Sequence, residues 1–182
     1  MNFVKTFSSK NLMVIGFCLI MTIPCFAQTG NKLSDPEVAS VAVVANQIDI
    51  HYAAIATRKS KDPEILRFAK TMANDHQAII NQAVALVTKL RVTPKDNQVS
   101  RKLVSDAEKT KKTLNSLTGK AFNRAYINNE VAYHKAVIST VEGLLIPESE
   151  NKELKELLQK VVPALKTHLE HAQMVQKKYT AK

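Results

Sequence analysis

His76, His134 and His168 each stand where an apolar residue is expected. Counted in alternating steps of three and four, one apolar stripe reads Ile65, Ala69, Met72, His76, Ile79, Ala83, Leu86, Leu90. A second reads Ile127, Val131, His134, Ile138, Val141, Leu145, and a third Leu154, Leu158, Val161, Leu165, His168, Ala172, Val175, Tyr179. That spacing marks the core-facing side of a helix. Each stripe is interrupted once, by histidine. Burying such a ring without a partner costs about 2 kcal/mol or more. Three of them at one level can bind a cation together, and imidazole suits zinc, iron, copper or nickel. The alternative is a metal-free polar layer closed by hydrogen bonds.

Carboxylates that could complete a metal shell are present. Glu130 lies four residues before His134 and so shares its face. Asp49 falls on a face with Ala42, Ala45, Tyr52 and Ala56, whereas His51 belongs to the competing face of Val44, Ile48 and Ile55. Only one of Asp49 and His51 can point squarely inward, and the sequence favours Asp49. Asp75 cannot share a direction with its neighbour His76, so it is expected to orient a ring on another helix or to be solvated. His171 falls off its stripe and reads as a surface residue. Met72, Tyr52, Tyr126 and Tyr133 read as core or rim.

The elements that must position these residues are helices. Long stretches rich in Ala, Leu, Lys, Glu and Gln favour helix, and no segment alternates as a strand would. Asp35–Lys59 forms one helix, with Ser34 or Asp35 as its cap and Pro36 in its first turn. Asp62-Pro63 opens the second, which runs to about Arg91. The third follows Gly119 and stops at Ile146-Pro147. The fourth runs from about Ser149 to Tyr179, with Pro163 expected to kink it or to mark a late start. The histidines lie about 13, 14 and 18 residues into their helices, depths that differ by about 7 Å along the axis.

Short links between the first two helices, and between the last two, make antiparallel hairpins. A long connection, Val92 to Thr118, joins the pairs and contains a short helix over Val99–Leu117. Two hairpins with one long crossover give an all-α, ferritin-like four-helix bundle. The runner-up is an up-down-up-down bundle with a bulky loop.

The N-terminal segment reads differently. Lys5 and Lys10 precede an apolar run from Leu12 to Ile23, then Pro24 and Cys25-Phe26-Ala27, the layout of a signal peptide cut after Ala27. The run is about a dozen residues, short of the roughly 20 that a membrane span needs. A retained anchor is the competing reading. A lipoprotein reading through Cys25 fits poorly with Pro24 before it. The organisation is then a signal peptide over 1–27, a linker over 28–34 and one helical domain over 35–182, periplasmic or secreted. Both cysteines leave with the signal peptide, which excludes disulfides and thiolate sites from the mature chain.

The net charge of +10 falls to +8 when Lys5 and Lys10 are lost. The remaining positive residues are spread along every helix, and the nearest patch (Arg101, Lys102, Lys109, Lys111, Lys112) is broken by Asp106 and Glu108. No aromatic residue is interleaved for base stacking, so nucleic acid is not an expected partner. The charge is compatible with weak attraction to anionic envelope surfaces.

Phe68-Ala-Lys-Thr-Met72-Ala-Asn-Asp75-His76, Gly119-Lys-Ala-Phe122-Asn-Arg-Ala-Tyr126, the later His134, and Leu165-Lys-Thr-His168-Leu169 with Ala172 resemble the domain-of-unknown-function family numbered 4142. The resemblance covers Asp35 to Tyr179. It implies a ferritin-like bundle exported in bacteria and often described as a membrane or outer-membrane protein, with no established activity. The positions it carries over are Asp75, His76, His134 and His168, and Asp49 stands where many relatives are expected to have glutamate. Two-iron carboxylate enzymes place a glutamate three residues before a histidine on two helices. Here those positions hold Ala73, Val131 and Leu165, none of them a ligand. The expectation is therefore one transition-metal ion held for metal handling or envelope stress, with a metal-free structural or interaction module as the alternative. No serine-centred or glycine-rich catalytic motif is present, so a binding or structural role is favoured over an enzyme.

Overall fold

The computed structural model describes residues 32–180. The segment read as a signal peptide, with Cys18 and Cys25, lies outside the described residues. Five helices follow in order: α1 (Asp35–Lys59), α2 (Pro63–Lys89), α3 (Gln98–Ser116), α4 (Gly119–Thr140) and α5 (Lys152–Thr180). Among the described residues there is no strand.

Local chemistry fixes most boundaries. The Glu37 carboxylate accepts from the Ser34 N–H at 3.0 Å and its hydroxyl at 2.6 Å, at the start of α1. Asp62 accepts from the N–H groups of Glu64 and Ile65, satisfying donors that have no partner within the helix, and Pro63 occupies the first turn. Asn97 does the same for α3 through Val99 and Ser100.

Two ends differ from the sequence expectation. Instead of stopping before Ile146-Pro147, the chain continues α4 through a π-helical turn, Val141–Leu145, and one more turn, Ile146–Glu148. Pro147 has no N–H and its ring would press on the carbonyl four residues back. The wider turn, in which the Ile146 N–H reaches the Val141 carbonyl, absorbs that conflict. The last helix starts at Lys152 rather than Ser149, because residues 149–151 form the turn. There Ser149 bonds back to the Leu145 carbonyl, and the Glu150 and Asn151 N–H groups donate to Asp35. Pro163 lies inside α5, which is continuous through it, so the late start is excluded.

The crossover sets the topology. It begins beside the start of α1, where the Lys95 N–H donates to the Pro36 carbonyl and Asn97 Nδ2 to that of Glu37. It ends beside the finish of α1, where Lys59 Nζ donates to the Asn115 carbonyl. Thus α3 runs alongside and parallel to α1. The α1–α2 and α4–α5 hairpins are the closest pairings, and α2 also packs on α5. This is the two-hairpin arrangement with one long crossover.

By length and composition α1 could span a membrane, yet it is a core helix, with 56% of its apolar stretch buried. It packs on α2, α3 and α4. The core has two apolar clusters. One holds Ile48, Tyr52, Ile65, Phe68, Met72, Phe122, Tyr126 and Val175. The other holds Val38, Val41, Ile138, Leu145, Leu154, Leu158, Val162 and Leu165. In the third stripe Val162 is buried and Val161 half-buried. Either fits between Leu158 and Leu165, because steps of three and four are both allowed. Beyond His76, the stripe residues Ile79, Ala83, Leu86 and Leu90 are only half-buried.

Candidate metal centre

A polar layer separates the two apolar clusters. His76 of α2, His134 of α4 and His168 of α5 are each 5% exposed or less, and Asp49 of α1 and Glu130 of α4 are fully buried. The ring centroids are 5.1 Å apart for His76 and His168, and 5.6 Å for each of the other two pairs. One potential ligand atom from each histidine lies within 4.8 Å of the others, and the same holds for Asp49, Glu130 and His134. His51 is exposed on the outer face of α1.

Each imidazole is held from behind by an oxygen. His76 Nδ1 lies 2.7 Å from Asn46 Oδ1. The Asn46 amide nitrogen already donates to the Ala42 carbonyl at 2.8 Å, so its oxygen must accept and His76 Nδ1 carries the proton. His134 Nδ1 donates to the Glu130 backbone carbonyl at 3.0 Å. His168 Nε2 donates to the Asp75 carboxylate at 2.9 Å. Asp75, on α2 beside His76, therefore orients the ring of α5.

These bonds choose the tautomers. In the neutral ring, donation by one nitrogen leaves a lone pair on the other. The remaining atoms, His76 Nε2, His134 Nε2 and His168 Nδ1, are buried without a hydrogen-bond partner among the described residues. So are both oxygens of Asp49 and of Glu130, except for what the two carboxyls offer each other. Asp49 Oδ2 lies 3.5 Å from His76 Nε2 and 3.7 Å from His134 Nε2. Two donors each about 2.0 Å from a tetrahedral ion are roughly 3.3 Å apart. The spacing is too long for good hydrogen bonds and close to that of two ligands on one ion.

Burial controls the charges. It is the main cause lowering His76 to a pKa of about 2, reinforced by His134 and His168, and it lowers His134 to about 4. It pushes Asp49 up to about 7 and Glu130 well above its ordinary range, where the neighbouring Asp49 charge adds to the effect. The His76–Asp49 and His134–Asp49 contacts are therefore not ion pairs, since both rings are neutral at neutral pH. The two carboxyls can share a proton, with Glu130 donating to Asp49.

A pH dependence follows for the metal-free protein. The lowered histidines contribute stability that is complete above their unfolded pKa near 6.5 and is lost as pH falls toward about 4 and 2. The raised carboxyls contribute stability that is complete at low pH and is lost as pH rises through about 7 and beyond. The two trends oppose each other between about pH 4.5 and 6.5, giving a plateau. Above it stability should fall by about 1.4 kcal/mol per pH unit for each proton the folded state alone retains. Urea midpoints from pH 5 to 9 test this: the midpoint should drop above pH 6.5 without metal, and a rise there would contradict it.

The sequence had no place for Asn46. Its position three residues before Asp49 puts it on the same face, which was the available signal. His171 is half-buried rather than a surface residue, its ring edge-on to Phe68 at 5.0 Å. Met72, Tyr52 and Tyr126 are core, and the Tyr133 hydroxyl donates to the Ala45 carbonyl at 2.8 Å.

Comparison with known proteins gives a family and a fold. A family model described as a domain of unknown function (DUF4142) matches residues 24–175. No curated protein matches the chain. Among solved structures, a DUF305 secreted protein from Streptomyces coelicolor superposes with a TM-score of 0.67 at 14% identity, covering 80% of this chain and 93% of its own. At that identity the likeness is one of fold.

Proposed function

The chain belongs to the DUF4142 family, whose description names no activity, and from that premise we propose that it is an exported bundle protein of ferritin-like arrangement that binds one transition-metal ion in its interior histidine layer. The observation that carries this reading is the convergence of unpartnered donors. Apart from what Glu130 offers Asp49, His76 Nε2, His134 Nε2, His168 Nδ1 and Asp49 Oδ2 are buried without a hydrogen-bond partner among the described residues, while the outer nitrogen of each ring is anchored on an oxygen. A layer built only for structure gains nothing from leaving such atoms unsatisfied. Anchoring the outer nitrogen is how proteins orient metal-binding histidines.

Three nitrogens and a carboxylate oxygen suit zinc, copper(II), nickel or iron(II) better than magnesium or calcium, which prefer oxygen. When bound, the ion would hold Asp49 as a carboxylate and replace the proton it shares with Glu130. Export is supported by the leader-like residues 1–27 and by the secreted description of the Streptomyces fold relative. Storage or buffering of a metal in the cell envelope is the role this fits.

Elemental analysis and calorimetric titration of untagged protein with zinc, copper(II), nickel and iron(II) test the proposal. About one equivalent of one of them is expected. Less than about a tenth of an equivalent of every metal would leave the metal-free polar layer, with one proton shared between Asp49 and Glu130.

Asp75 provides a graded check. It is half-exposed, so Asp75→Ala leaves the core intact and removes the acceptor for His168 Nε2. Metal affinity should fall by about 10- to 100-fold, measured by competition with a chromophoric chelator. An unchanged affinity would remove His168 from the shell.

A further inference from the structure

The histidine layer forms one end of a cavity of about 310 Å³. Asp49, His76 and His134 line it there, and from that level it follows the half of the bundle toward the end of α2. Its walls are largely apolar, with Ile80, Ala83 and Val87 of α2 facing Leu157 and Val161 of α5. Ile80, Ala83 and Val87 are all only half-buried, and Ala83 belongs to the α2 stripe. His76 and Val87 are about 16 Å apart along the helix axis. The exposed Ala132 and Ala136 also line it, so it reaches the surface.

Two observations specify what would fill this space. The polar end carries buried, unpartnered atoms of Asp49, His76 and His134. Asn129 Nδ2, which also belongs to a lining residue, is a buried donor without an acceptor among the described residues. An ion held by four protein donors keeps positions open for an outside oxygen when its coordination number exceeds four. The complement is a molecule with acceptor oxygens at one end and an unbranched apolar body. The volume is at the small end of the range for ligand pockets.

We propose that the cavity binds a medium-chain monocarboxylate, with its carboxylate on the ion of the histidine layer and its alkyl chain along the α2 and α5 walls. This rests on the metal reading above. Without the ion, Asp49 would meet the ligand carboxylate as a like group, so binding must depend on metal.

The test uses nickel, which readily takes more than four ligands, and octanoate with the untagged protein. Nickel-loaded protein should bind octanoate, and affinity should rise roughly fourfold per added CH2 from butanoate to octanoate. Metal-free protein should bind it at least about tenfold more weakly, and octanol should bind less tightly than octanoate. Ala83→Phe fills the apolar part and should weaken octanoate at least about tenfold with nickel uptake unchanged. Should that variant fail to take up nickel, Val87→Phe replaces it. Nickel uptake with no octanoate binding overturns this inference and leaves the metal reading standing. So does binding that ignores chain length, metal or the filled cavity. Absence of any metal uptake overturns both.

Discussion

Changing His134 to alanine is expected to lower metal affinity by at least about 100-fold, the largest loss of any single histidine replacement. His134 is the one ring within reach of both possible donor sets, His76 with His168 on one side and Asp49 with Glu130 on the other. Replacing an outer partner alone typically costs about 10- to 100-fold, and removing the ligand itself should cost more. The ring is 1% exposed and packs against Tyr133. Alanine therefore leaves a cavity, and some loss of stability will accompany the loss of affinity. Asparagine, nearer in size, separates the two effects. Affinity measured by chelator competition should fall in both variants, while the urea midpoint falls less with asparagine. Retained affinity in both would remove His134 from the site.

The second large effect runs in the opposite direction for stability. Asp49→Asn should stabilise the metal-free protein by about 1–3 kcal/mol at pH 8 while abolishing tight metal binding. Asp49 is fully buried and no cationic side chain among the described residues pairs with it, because its histidine neighbours are neutral. An uncompensated buried charge is costly. Asparagine has nearly the same shape, carries no charge, and offers an amide N–H to Glu130. Residues kept for binding commonly reduce stability in this way. Urea unfolding of metal-free wild type and variant decides the matter. A destabilised variant would mean that Asp49 serves the fold, and the case for a ligand would weaken.

Much of this arrangement could be read from residue spacing. The stripes around His76, His134 and His168 are regular because each helix buries one face, and a polar residue at a stripe position is buried with it. Asp49 was legible over His51 because Ala42, Ala45, Tyr52 and Ala56 make a face of small residues closed by a ring. Asp75 was legible as a residue that faces away from His76, either toward a ring on another helix or into solvent, and the structure places it on His168. The hairpins and the crossover followed from link lengths and from Asp62, Pro63 and Gly119.

What could not be read depends on how helices meet. Asn46 looks like an ordinary polar residue until α2 brings His76 Nδ1 to its oxygen. The π-helical turn before Pro147 reflects how the chain relieves a local clash while keeping Leu145 buried. Ile79 and Ala83 read as core by periodicity, yet in the bundle they are half-buried and line a cavity. Periodicity reports which face turns inward and does not report how closely the neighbours approach.

X-ray absorption on the metal-loaded, untagged protein tests the central claim most directly. The predicted spectrum has a first shell of nitrogen and oxygen at about 2.0–2.1 Å, with outer-shell scattering that requires about three imidazoles and loses one in the His134→Asn variant. A first shell of oxygen alone, or one without imidazole scattering, would place any bound ion elsewhere and contradict a centre built from His76, His134 and His168.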